Sequence, residues 1–183
     1  MGKWIFLAVV IVLGLWGIFT YNGLIRLKNK CEEAFSTMDV YLKKRYDLIP
    51  NLVETVKGYA AHESKTLEGV IAARNMAMNA SSDEERIQGE NMLQGTLRSL
   101  FAVTEAYPQL KADTGFADLR SQLAHLEDEI ASSRKYYNAV VRQYNSKTET
   151  FPSNLIASVF HFKRRSMFEV SDPSERENVR VQF

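Results

Sequence analysis

FADLRSQLAHLEDEIASSRKYYNAVVRQYNSKTETF, residues 116–151, carries one stripe through Phe116, Leu119, Leu123, Leu126, Ile130, Ser133, Tyr137, Val140, Tyr144, Lys147 and Phe151. The steps alternate between three and four, the period that stacks side chains on one face of an α-helix. Stripes this regular are packing seams of an antiparallel bundle or coiled coil, not cofactor boxes. Working back along the chain, Leu93, Thr96, Leu100, Val103 and Tyr107 repeat the pattern over a shorter helix. Its start fits a capping box at Ser82-Asp83-Glu84-Glu85, Pro108 ends it, and Asp113 or Thr114 caps the long helix that follows.

A further seam runs from Cys31 through Phe35, Met38, Leu42, Arg45, Ile49, Leu52, Val56, Tyr59, Glu63, Thr66, Val70 and Ala73 to Ala77, broken only by Arg45, Glu63 and Thr66. Pro50 lies inside it. Proline removes one helical hydrogen bond and crowds the preceding turn. Either the helix continues with a kink, or Asp47 caps a new helix in which Pro50 occupies the first turn. The seam keeps register across Pro50, and a reversal at Asp47 would drive a helix of about 50 Å back along one of about 32 Å. Both points favour the kinked, continuous helix.

At the N-terminal end, Trp4 to Ile25 is 22 residues without a charge, between Lys3 and Arg26. As a helix it spans roughly 33 Å, enough for a hydrocarbon core of about 30 Å. Thirteen of its residues are Ile, Leu, Val or Phe, so insertion is favourable by several kcal/mol. A cleaved signal peptide would have a shorter apolar run and small residues at the cleavage point, whereas Tyr21-Asn22-Gly23-Leu24 has no such site. The reading is an uncleaved single-pass anchor. Arg26, Lys28, Lys30, Lys43, Lys44 and Arg45 follow the span and only Lys3 precedes it. This bias predicts an inner-membrane protein with its N-terminus outside and its body in the cytoplasm.

Beyond Phe151 the composition changes. Pro152 closes the long helix, Ser153 or Asn154 can cap a short one, and Phe151, Leu155, Val159 and Phe162 share a face ahead of Lys163-Arg164-Arg165. That short helix packs on the bundle, or lies at the membrane interface with its basic end on anionic lipid. The last residues are polar, except that Val179, Val181 and Phe183 alternate as in a strand seeking an edge or groove. The fold expected is all-α: an N-terminal transmembrane helix, then an elongated antiparallel bundle of three long helices and a short fourth. The parts are residues 1–25 as anchor, 26–165 as cytosolic bundle and 166–183 as a flexible or extended tail.

Several strings resemble the LemA family of bacterial membrane proteins: Lys44-Arg45-Tyr46-Asp47-Leu48-Ile49-Pro50-Asn51-Leu52-Val53, Val56-Lys57-Gly58-Tyr59 and His62-Glu63. So do Glu105-Ala106-Tyr107-Pro108-Gln109-Leu110-Lys111-Ala112, the pairs Tyr137-Asn138 and Tyr144-Asn145, and Phe151-Pro152-Ser153-Asn154. The resemblance covers Tyr21 to Phe183 with every block in order. It implies an anchored cytosolic helical bundle with no established reaction. One relative is implicated in organising the membrane of a magnetic organelle, and proximity to a membrane metalloprotease and to two-component signalling is suggested by association.

Catalytic chemistry finds little footing. His62-Glu63 would need a second histidine at position 66 to form a zinc-protease helix, and that residue is Thr66. Glu127, Asp128 and Glu129 diverge by about 100° per residue. His125 can pair with Glu129 on the surface, and His161 reads as peripheral. Cys31, the one cysteine, packs as a small apolar residue or is a juxtamembrane acylation site. A net charge of +1 argues against broad nucleic-acid binding. No cofactor or metal is expected.

Interaction residues are the better candidates. Arg45 and Glu63 intrude on a seam 18 residues apart, about 27 Å along one helix, so each must meet water, another helix or another subunit. Tyr137 stands over Tyr144 and Asn138 over Asn145, either closing the core with hydroxyls at its rim or forming an amide ladder for another helix. Phe162, Val179, Val181 and Phe183 complete the set. The leading expectation is a non-enzymatic scaffold on the lipid bilayer, self-associating through a first helix that the shorter seams leave partly uncovered. The alternative is a monomeric adaptor that offers its tail to a membrane protease or sensor.

Overall fold

The computed structural model describes residues 1–168; Val179, Val181 and Phe183 lie outside the described residues. Six helices follow in order: α1 (Gly2–Tyr59), α2 (Ser64–Met78), α3 (Asp83–Thr104), α4 (Pro108–Lys111), α5 (Thr114–Glu149) and α6 (Ser153–Val159). There is no strand among the described residues. The all-helical class follows from the seams, and two details change the count. The stripe read as one helix from Cys31 to Ala77 is two, because the chain turns at residues 60–63, just after Gly58, a poor helix former. A single turn, α4, starts at Pro108, where proline is tolerated because its amide would be unpaired.

The chain forms two compact units. The first, Met1–Asp39 with Ala131–Met167, contains the start of α1, the end of α5 and α6. Here α1 and α5 run antiparallel: Phe35 meets Tyr137 edge-on at 5.6 Å, and Lys147 passes over Gly23. Residues 4–15 are exposed, while Thr20, Leu24, Cys31, Ala34 and Met38 are buried. The apolar run is therefore bare and the stripe beyond it is covered.

The second unit takes Val40–Ile130 and, of the described residues after that, Phe168. Leu42, Ile49, Leu52 and Val56 of α1 are wholly buried, as are Val70 and Ala73 of α2 and Leu93 and Leu100 of α3. Along the α1 stripe between Cys31 and Val56 every residue but the half-buried Phe35 is buried, contrary to the expectation of an uncovered first helix; in this unit the reversal at residues 60–63 returns α2 to α1, where Arg74 meets Tyr46. α2 and α3 pack so closely that a Cβ on Gly89 would stand 2.7 Å from Ala77 Cα.

The reversal also resolves Pro50. α1 passes through it unbroken, although the Tyr46 carbonyl four residues earlier loses its helical donor. Arg74 of α2 replaces that donor: its Nε donates to the Tyr46 carbonyl at 2.7 Å.

Helix ends follow local chemistry. Ser82 Oγ accepts from the Glu85 amide at 3.2 Å, and the Glu85 carboxylate reaches back to accept from Ser81 and from the Ser82 amide. Asp113 caps α5 by accepting from the Phe116 amide at 2.8 Å. At α6 neither Ser153 nor Asn154 is the cap; Pro152 holds that position, and Ser153 Oγ donates to the Lys147 carbonyl at the end of α5. α6 ends in a Schellman turn: His161 takes the left-handed conformation (φ 56°), its amide bonds the Ser158 carbonyl, and the Phe162 amide bonds the Ala157 carbonyl.

Candidate functional site

In the first unit, the Schellman turn returns the chain to α1 where the bare apolar run ends. Tyr21 receives Phe160 at 4.6 Å and Phe162 edge-on at 5.7 Å between ring centroids. Ile156 lies against Gly17, with its Cδ1 3.7 Å from where a Cβ would stand. Beside these rings is an open pocket of about 440 Å³, lined by Tyr21, Lys28, Phe160, His161, Lys163 and Arg164 among others. The other side of α6 is uncovered: Leu155 and Val159 are exposed, as is Phe151 just before the helix. Of the two readings of this helix, packing holds for Ile156 and the buried Ala157 but not for the apolar stripe. Phe162 faces Tyr21 and sits apart from that stripe.

The tyrosine–asparagine pairs of α5 clasp residues 163–166. Tyr144 Oη donates to the Lys163 carbonyl at 3.0 Å and Tyr137 Oη to the Ser166 carbonyl at 3.1 Å. Asn145 bonds Arg165 twice, donating to its carbonyl and accepting from its amide, both at 2.9 Å. Arg165 then pairs with Glu32 of α1 at 2.8 Å. The side-chain amide acts as a strand edge would, satisfying an irregular backbone. Asn138, two turns earlier, is half-buried. Cys31 is fully buried, and burial pushes its thiol up, which supports packing over acylation.

In the second unit, Arg45 is fully buried between two carboxylates. It donates to Glu127 Oε1 of α5 at 2.7 Å and to Glu90 Oε2 of α3, and Tyr46 Oη donates to the other Glu90 oxygen. Burial opposes the guanidinium's charge, but Glu90 and Glu127 outweigh it and hold Arg45 more firmly protonated. Burial first, then the Glu90 charge, pushes the Tyr46 phenol above the ordinary tyrosine range. These groups are a structural tie among α1, α3 and α5. Removing one partner from such a pair costs about 3–5 kcal/mol, since the other charge is left buried. Glu63, the second intrusion, holds the N-cap position of α2 without a side-chain cap, and its carboxylate accepts from Tyr107 Oη at 3.2 Å. Arg45 and Glu63 thus both find partners within the chain and do not meet each other.

Residues 34–183 match the LemA family. The chain belongs to that family. It is similar to Protein LemA of Metamycoplasma hominis, 25% identical over 152 residues, covering 82% of this chain and 69% of that protein. It is also similar to Magnetosome protein MamQ 2 of Paramagnetospirillum magneticum, 25% identical over 178 residues, and to Magnetosome protein MamQ of Magnetospirillum gryphiswaldense, 23% identical over 177. These matches cover 83% and 82% of this chain and 65% of each MamQ protein. The chain thus spans just under two thirds of the MamQ length. A bare N-terminal apolar helix long enough to cross a membrane, together with these relatives, fits a membrane-anchored protein.

Sequence reasoning missed Glu90, Arg74, Arg165 and Tyr21 in this LemA-family chain. Glu90 had a signal, because it precedes the apolar stripe that continues at Leu93 and so falls on the inward face of its helix. Arg74 stands beside the seam position Ala73, and nothing local marks it as the partner of a carbonyl 28 residues earlier.

Proposed function

We propose that this LemA-family chain is a non-enzymatic scaffold, anchored in the inner membrane with its body in the cytoplasm, that self-associates and organises membrane. The observation that carries this reading is the continuity of α1. One helix of 58 residues begins as a bare apolar run and ends as a buried core element. A helix that supplies both an apolar run and a share of the core suits a protein whose function lies at the membrane. The cations Arg26, Lys28 and Lys30 after the span favour a cytoplasmic body. Surface methionines Met76, Met78 and Met92 offer adaptable apolar contacts to a second copy, now that the α1 stripe is buried.

The test is the protein mass of the full-length chain in mild detergent or native nanodiscs, by light scattering over a dilution series. A large assembly that resists dilution is expected. A mass near the 20.9 kDa monomer would overturn the scaffold reading. Deleting residues 179–183 leaves assembly unchanged if the chain is a scaffold, and abolishes partner capture if it is an adaptor.

A further inference from the structure

The apolar run of α1 is bare on all sides only in its first part. Residues 4–15 are exposed throughout, whereas Gly17 is half-buried and Thr20 is buried. α6 packs on this last part of the run, with Ile156 on Gly17 and Phe160 on Tyr21. At that level α6 turns Leu155 and Val159 outward, at 54% and 68% exposure, four residues apart on one helical face. Phe151, 75% exposed, stands just before the helix. Interfacial helices sink such faces about 5–10 Å into the boundary between headgroups and acyl chains.

The charges are arranged to match. The pocket beside Tyr21 is lined by Lys28, Lys163, Arg164 and Arg165. Arg165 is taken by Glu32 and Arg164 reaches Glu149 at 3.4 Å. Lys28 and Lys163 carry no ion pair among the described residues. Two uncommitted cations and an aromatic wall thus stand directly beyond the apolar level, where phosphate groups of the adjoining leaflet lie.

We infer that α6 is a membrane-interface element: Leu155 and Val159 enter the acyl region of the leaflet next to Arg26, and the pocket at Lys28 and Lys163 takes the headgroup of an anionic phospholipid. The inference rests on the anchoring of α1 in a membrane and not on self-association. It assigns α6 the task of fixing the depth of the bundle and its preference for anionic lipid.

The experiment uses the full-length chain in nanodiscs of phosphatidylcholine, with or without phosphatidylglycerol. Spin labels are placed singly at Leu155→Cys, Val159→Cys and, as an aqueous reference, Arg142→Cys, each in a Cys31→Ala background checked by circular dichroism. Labels at 155 and 159 are expected to be reached by oxygen and shielded from a water-soluble nickel chelate, the reverse of 142. In native mass spectrometry, phosphatidylglycerol is expected to stay bound preferentially. The surface variant Lys28→Gln/Lys163→Gln should retain it roughly 30-fold less, at about fivefold for each cation near an anionic surface. Added inorganic phosphate should not displace it. Nickel access at 155 and 159, or shielding of both labels from oxygen and nickel alike by another protein surface, overturns the inference. So does equal retention of the two lipids by wild type and variant. Loss of the chain from the discs altogether would instead refute the anchoring itself.

Discussion

Arg74 should matter only because Pro50 is a proline. In an uninterrupted helix the amide at position 50 would donate to the Tyr46 carbonyl; Pro50 has none, and Arg74 Nε supplies the bond from α2 at 2.7 Å. A hydrogen bond involving a charged group contributes about 1.5–3 kcal/mol, and a part-buried carbonyl left without a donor costs a similar amount. Arg74→Met keeps most of the aliphatic stem and removes the donor, so it should destabilise the second unit by about 2 kcal/mol. In a Pro50→Ala background the new amide takes over the carbonyl, and the same Arg74→Met change should then cost less than about 1 kcal/mol. The coupling between the two positions is therefore expected to be at least about 1 kcal/mol, well above the error of independent sites. Denaturant unfolding of the four full-length proteins in one detergent, followed by far-ultraviolet circular dichroism, measures it. An equal cost of Arg74→Met in both backgrounds would refute the substitution of side chain for amide.

Two glycines of α3 should respond in opposite directions. A Cβ at Gly89 meets the Ala77 backbone at 2.7 Å, so Gly89→Ala should destabilise by about 1–3 kcal/mol through forced separation of α2 and α3; nothing stands within 4 Å of Gly95, so Gly95→Ala should stabilise by up to about 1 kcal/mol. Thermal unfolding of both variants reads the signs. At Asp113, bonds from the Phe116 amide and then the Tyr59 phenol hold the carboxyl below its ordinary range. A depressed folded-state value means that its stabilisation is complete above the unfolded pKa of about 3.9 and is lost as pH falls through the lower folded value. Asp113→Asn should keep the cap but flatten that part of the acid unfolding curve relative to wild type, and identical acid limbs would count against it.

The readings that succeeded share a physical basis: each depends on residues within one or two helical turns. Periodicity located the seams, and the Ser82 and Asp113 caps were legible because a cap is a bond to an amide three residues away. The apolar run of α1 needed only its length. The readings that failed required a partner from elsewhere. The turn at residues 60–63 was hidden because the stripe keeps its three-four spacing across the break, although there the buried positions shift to Ala60 and Leu67. Of the two readings of the tyrosine–asparagine pairs, tyrosines closing the core with hydroxyls at its rim holds for the buried Tyr137 and Tyr144, but that these hydroxyls and Asn145 satisfy the backbone of residues 163–166 was not legible locally.

What the amino-acid sequence by itself determined is the all-helical class, the apolar span, the seams and most helix ends, since hydrophobic period and capping chemistry are local. Tertiary structure decided what covers each stripe and which charge meets which. Arg45 found Glu90 and Glu127, 45 and 82 residues away, and Arg74 rescued the Pro50 helix from 28 residues beyond the carbonyl it serves. It also decided that the α6 face points outward beside the last turns of the α1 span. An apolar stripe reads the same whether protein or lipid covers it, because burial removes it from water in either case.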